Sequence, residues 1–202
     1  MSKLPALATL LFAEVFCGIP GKGPSYKADA GWIDTLYSDT GVVLTAEGVS
    51  DDRYVLHWVT RSISRKSTDT LVILPSGKAQ FNARSASFLL LRQGCGTACS
   101  IGYALPLNAS SHELKFMYPL ALDSANDLLA CCSESASDKI VVVNLITQKE
   151  FVIKRPFAHG PSCATSLDSI AFQKPLALLL VWRDTSGQGH RDTIDLLSPM
   201  SK

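Results

Sequence analysis

Short apolar runs recur along the chain between clusters of Ser, Asn, Asp and Gly, and no helical period lasts beyond a turn or two. Runs of that length bounded by turn formers are the signature of β-strands. Fourteen strands are predicted, over 32–37, 41–46, 53–62, 70–74, 78–82, 87–91, 101–107, 113–118, 128–132, 139–144, 149–154, 169–172, 177–183 and 192–197. Between them stand Ser38-Asp39-Thr40-Gly41, Pro75-Ser76-Gly77, Asn108-Ala109-Ser110-Ser111, Ser135-Ala136-Ser137-Asp138 and Asp184-Thr185-Ser186-Gly187. These compositions turn the chain, because Asp, Asn and Ser side chains bond back to nearby backbone and Gly accepts positive φ.

The most diagnostic hairpin spans Lys139 to Ile153: an apolar strand ending at Asn144-Leu145, then Ile146-Thr147-Gln148-Lys149, then a second strand. It resembles the inter-strand hairpins of propeller blades, in which a strand ending in Asn or Asp and Leu is followed by Thr-Gly-Lys. Gln148 stands where that pattern has Gly, so the turn must find a left-handed residue elsewhere or carry strain. Two echoes have the same order of apolar strand, turn and charged-start strand: Cys99–Asn108 followed by Glu113–Pro119, and Thr70–Gly77 followed by Lys78–Phe81. Repeats of this kind suit stacked β units, none of which can bury its face alone. Fourteen strands at four per blade fall short of four blades. The expected fold is therefore all-β, with antiparallel sheets forming either a partial propeller-like stack or a β-sandwich.

The N-terminus changes the picture of compartment. Lys3 is followed by Leu4–Phe16, whose only charge is Glu14. The run is shorter than the roughly 20 apolar residues of a membrane-spanning helix but suits the apolar region of a secretory signal. Val15-Phe16-Cys17 fits a cleavage site poorly, and Glu14-Val15-Phe16 before Cys17 is not a lipobox. Residues 1–24 are read as a signal-peptide-like segment and linker, with a lipid-attached N-terminus or a buried strand or helix as alternatives. Residues 25–202 are read as a single all-β domain, secreted or periplasmic. A hydrophobic fraction of 47% can supply one core, and a formal net charge of +1 gives no electrostatic footprint for nucleic acid or an anionic membrane. No stable membrane span is expected, since the most apolar later stretch, Pro175–Trp182, has the length of a buried strand.

Cysteine usage points the same way. Cys95-Gly96-Thr97-Ala98-Cys99 is compatible with a disulfide, because Gly96 can supply the turn that brings two Cα atoms within roughly 7 Å. A loop so short is worth only about 2 kcal/mol, so a bridge there locks a turn rather than stapling a domain. The alternative is a pair of buried thiols. Residues 85 to 155 resemble stretches of bacterial exported proteins of unknown role, in which a Cys-Gly-Thr-x-Cys turn precedes a strand and an Asn- or Asp-turned hairpin. That resemblance implies architecture and envelope location only. Adjacent Cys131 and Cys132 on one strand point to opposite faces, one to the core and one to a loop or solvent. Either is a candidate to pair with Cys163, and buried free thiols are the other reading. Loss of Cys17 with a cleaved signal would leave an odd thiol.

Motifs for specific chemistry are sparse. His159 and Cys163 are four apart, but no second pair completes a zinc set. There is no Gly-x-Ser-x-Gly elbow. His57 falls on a strand, facing outward or filling a satisfied core position, and Asp51-Asp52 reads as a solvated turn. Gly18–Pro24 lacks the spacing of a phosphate loop, and Asp184–Asp192 lacks the order of a calcium loop. Asn108-Ala109-Ser110 is a glycosylation sequon, meaningful only in a eukaryotic secretory pathway. Trp32, Trp58 and Trp182 fall on separate strands, where core packing accounts for them. No catalytic set, cofactor or metal site is expected. The sequence favours an exported, non-catalytic β domain that binds a protein or cell-envelope partner through loops such as 94–100 and 158–166. The alternative is an envelope hydrolase whose acid and base come from scattered strand ends, with His57, Asp51, Asp52 and His190 as candidates.

Overall fold

A computed structural model describes residues 31–96, 99–134, 136–158, 160 and 162–197. The signal-like segment, Cys17, Thr97, Ala98 and His159 lie outside the described residues. Sixteen strands form four antiparallel sheets in chain order. The first holds β1 (Ile33–Ser38), β2 (Val42–Ser50) and β3 (Arg53–Thr60), with β4 (Ser64–Lys66) and β5 (Leu71–Val72) both pairing with β3. The second is β6 (Gln80–Arg84), β7 (Phe88–Gly96), β8 (Cys99–Pro106) and β9 (Leu114–Met117). The third is β10 (Pro119–Asp123), β11 (Leu128–Cys132), β12 (Lys139–Asn144) and β13 (Glu150–Lys154). The fourth is β14 (Leu167–Gln173), β15 (Ala177–Arg183) and β16 (Gly189–Asp195), preceded by a 3-10 turn over Cys163–Ser166.

Two strands escape the sequence pattern. β4 is hidden in the basic run Arg61–Lys66, and β10 begins on Pro119, immediately after Tyr118 reverses the chain at φ +47°. With them the count rises from fourteen to sixteen, which fills four sheets rather than fewer than four. The supposed hairpin from Thr70 to Phe81 is also corrected: β5 belongs to the first sheet and β6 to the second.

Alternation explains the packing. In the first sheet Val42, Leu44 and Ala46 are buried while Val43 between them is 42% exposed, so one face is covered and one is open. The central strands of the second and third sheets are covered on both faces and read as unbroken buried runs, Phe88–Leu91 and Leu128–Cys132. Leu89, Leu91 and Leu105 of the second sheet pack with Leu44, Leu56 and Trp58 of the first, and Phe88, Leu90 and Ala104 pack with Leu129 of the third. Leu128, Ala130 and Ile140 of the third sheet join Leu178, Leu180 and Trp182 of the fourth. The core is thus three layers between four stacked sheets, with β1 beside β6 and β10 beside β14.

Several polar side chains pair across these layers. Trp58 Nε1 donates to the Pro106 carbonyl at 2.7 Å, and the Ala79 amide donates to the Tyr54 hydroxyl at 2.7 Å, joining first to second sheet. Burial pushes the Tyr54 phenol up to about 12. Asp127 accepts from Ser85 and, at 2.9 Å, from Ser87, joining second to third. Arg155 Nε donates to Asp192 at 2.7 Å, joining third to fourth.

The β12–β13 turn forms as expected. Asn144 Oδ1 accepts the Ile146 and Thr147 amides at 3.0 and 2.8 Å, and Gln148 itself takes the left-handed position, at φ +58°. Equivalent caps recur at the β8–β9 connection, where Asn108 accepts the Ser110 and Ser111 amides, and at β3–β4, where Thr60 accepts those of Ser62 and Ile63. Of the two sequence echoes, the one around Asn108 has this cap as its physical content, while the Thr60 cap lies outside both.

Candidate functional site

β7 and β8 end in the Cys95–Cys99 hairpin. The two Cα atoms stand 5.1 Å apart, at disulfide distance, and Gly96 takes φ +138°, a conformation that a side chain would strain. Cys132 at the end of β11 stands at disulfide distance from Cys163, with Cα atoms 5.7 Å apart, which selects between the two pairings open to Cys163. Cys131 is left as a thiol. The expectation that one of the adjacent cysteines faces a loop or solvent is corrected: Cys131 and Cys132 are 5% and 2% exposed, because the third sheet is covered on both faces where they lie. Burial pushes the Cys131 thiol up to about 12, which disfavours its thiolate form.

Both cysteine pairs lie at the same end of the stack. The Tyr118 amide donates to the Ser100 carbonyl at 2.7 Å, and the Cys132 amide donates to the Tyr118 carbonyl at 3.2 Å. That ladder runs from the residue after Cys99 to the residue bonded to Cys163. The loop over Ser133–Asp138, the segment before β14 and the Asp184–Gln188 turn share this end, since each follows a strand running in the same direction.

A groove opens beside them at the seam of the second and third sheets. Its first part, about 410 Å³, is lined by β9 on one side and by Cys131, Val141 and Val143 on the other, with Gln148 and Glu150 at its far end. It continues into a second hollow of about 530 Å³ toward Tyr118, Ser137 and Ser162, the two sharing Lys115, Met117, Ser133 and Glu134. Ser162 is 4% exposed and its hydroxyl has no hydrogen-bond partner among the described residues. Sequence reasoning did not find this groove. Its walls come from β9, β11, β12 and the segment before Cys163, and no short-range spacing signals their meeting.

The histidine candidates lie elsewhere. His57 faces outward on the open face of the first sheet, its Nδ1 3.2 Å from Glu47 Oε1 and its Nε2 3.0 Å from the Ser64 hydroxyl. Lys66 donates to the other Glu47 oxygen at 2.5 Å and holds that carboxyl below its usual range. The order Ser64–His57–Glu47 is that of a nucleophile, base and orienting acid, yet it sits on an open sheet face rather than in a cleft that could hold an acyl group or the donors for an oxyanion. His190 stacks on Trp182 with ring centroids 4.4 Å apart, and its Nε2 is 2.8 Å from Asp184. Ser186, then His190, hold the Asp184 carboxyl well below the usual carboxylate range. Asp51 and Asp52 form the exposed β2–β3 turn. The structure therefore puts His57 on the first sheet and His190 on the fourth and does not gather the four candidates into one site.

Cys163, the partner considered for His159 in a metal pair, is committed to Cys132. Among the described residues no group of three or more His, Cys, Asp or Glu side chains is placed to hold a metal ion, and no helix is long and apolar enough to cross a membrane. No protein-family model matches the chain, and no curated protein matches it.

Proposed function

We propose that this protein is an exported, non-catalytic β domain that binds a protein or cell-envelope partner, through the end of the stack that carries both cysteine pairs. The observation that carries the reading is the Ser100–Tyr118–Cys132 ladder, which sets the Cys95–Cys99 hairpin and the Cys163 segment side by side. Short loops held by cross-links on a rigid all-β scaffold keep their shape on binding, and a partner then has less ordering entropy to overcome. Cysteine pairs at bonding distance fit an oxidising compartment. In our reading the sheets are blades of a partial propeller: each is built around a meander of consecutive strands, and first strands lie side by side between the first and second and between the third and fourth sheets.

The test is site-specific photo-cross-linking in the protein's own host. A photoreactive residue at Ser137, exposed at the cysteine end, is expected to capture a partner. The same residue at Ser124, exposed in the β10–β11 turn at the opposite end, is expected not to. Equal capture from both positions, or from neither, overturns the proposal.

A further inference from the structure

We propose that the groove between the second and third sheets takes an extended peptide segment of the partner, which adds as a strand to the outer edge of β9. The inference rests on the partner-binding reading above and gives the partner's contact a chemistry. β9 pairs with β8 alone, so its other edge presents backbone N–H and C=O groups with no backbone partner among the described residues. That edge borders the groove, and strand addition is how an extended peptide satisfies such groups.

The groove floor has the period that a strand would need. Cys131, Val141 and Val152 are aligned across β11, β12 and β13, so they share one face of the third sheet. Val143 lies on that face too, two residues along β12 from Val141. Val152 lies outside the groove's own lining, where it extends that face onto the outermost strand and is 45% exposed. A peptide paired to β9 therefore lays every second side chain on valines and turns the others to solvent. Apolar residues of modest size fit the floor, and Lys115, Glu134 and Glu150 at the rim take flanking residues of either charge. Four residues of β9 set a paired length of roughly 13 Å at about 3.3 Å per residue.

A second observation points to a ligand at the inner end of the same groove. The Ser162 hydroxyl is buried, lines the hollow and has no hydrogen-bond partner among the described residues. Buried polar groups in folded proteins are almost always paired, and the orphan calls for an incoming donor or acceptor. A backbone amide or carbonyl of the peptide supplies one.

The probe is a phage-displayed library of linear heptapeptides, panned against the oxidised full chain. Enriched peptides are expected to carry apolar residues at alternate positions and to protect the β9 amides from hydrogen exchange. Val152→Arg, a change at an exposed position, is expected to weaken their binding more than tenfold. Ser162→Ala, which removes a hydroxyl with no partner among the described residues, is expected to weaken it about fivefold while leaving the melting temperature unchanged or raised. Val43→Arg on the first sheet is expected to leave it unchanged. No enrichment, or enriched peptides whose binding survives Val152→Arg without protection of β9, overturns the proposal. If Ser137 still captures a partner equally well in the Val152→Arg protein, the partner-binding reading stands and strand addition at β9 is not how the partner binds.

Discussion

At Gln148 the chain adopts φ +58°, a conformation that glycine reaches without penalty and that costs other L-residues roughly 1–2 kcal/mol. Asn144 holds the turn from the other side by accepting two amides, so the local geometry is fixed and the residue at 148 must comply. Gln148→Gly is expected to stabilise the protein by about 0.5–1 kcal/mol, the released strain being partly offset by the greater freedom of Gly in the unfolded chain. In a chain of this size that corresponds to a rise of roughly 1–4 °C in melting temperature, read by calorimetry. A fall would mean that the Gln148 side chain contributes more than its backbone strain costs. The turn was legible in the sequence from Asn144 and Thr147. That Gln148 itself carries the left-handed conformation was not, since one side chain does not reveal which of several nearby residues will take the strain.

Strands and their connections set the second scale. The Cys95–Cys99 link closes a loop inside one hairpin, whereas Cys132 and Cys163 are 31 residues apart and tie the end of β11 to the segment leading into β14. In the chain-entropy model the first is worth about 2 kcal/mol and the second roughly 3.5 kcal/mol. Urea unfolding of the oxidised protein is expected to show Cys132→Ala with Cys163→Ala as the more damaging double substitution, by about 1.5 kcal/mol over Cys95→Ala with Cys99→Ala. Equal costs would show that the longer loop is already restricted in the unfolded chain. The short link was predictable because its turn is local. The choice of Cys132 over Cys131 depended on which face of β11 meets the fourth sheet, and alternation alone assigns two faces without naming them. The strands missed for the same reason are those with weak local character: β4 has three residues, two of them basic, and β10 starts on a proline.

At the scale of the molecule, stability is distributed over three inter-sheet layers, and the middle one is thin. Phe88, Leu90, Ala104, Leu129 and Leu145 are its buried members, with Asp127 bonded to Ser85 and Ser87 at its edge. Leu129 is fully buried there, so Leu129→Ala is expected to cost about 2–5 kcal/mol, the range for a truncation that leaves a cavity. Val43→Ala on the open face of the first sheet is expected to change stability by no more than about 0.5 kcal/mol. Chemical denaturation of the two variants separates the cases, and similar costs would mean that the second and third sheets do not depend on each other. The groove flanks this same layer: Leu114 and Phe116 of β9 pack against the layer and also line the channel, opposite Val141 and Val143.

What the sequence by itself determined is local: the β class, most strand positions, the Asn-capped turns and the glycine-turned Cys95–Cys99 hairpin. Each follows from residues close together in the chain, through alternation, side-chain-to-backbone bonding and the conformational range of glycine. Only the tertiary structure decided that the strands form four sheets, that Cys132 meets Cys163, that His57 and His190 lie apart, and that Lys115, Glu134 and Ser162 border one groove. Those outcomes depend on which faces of distant strands pack together, and that choice is made by the burial of the whole apolar surface at once rather than by any segment of it.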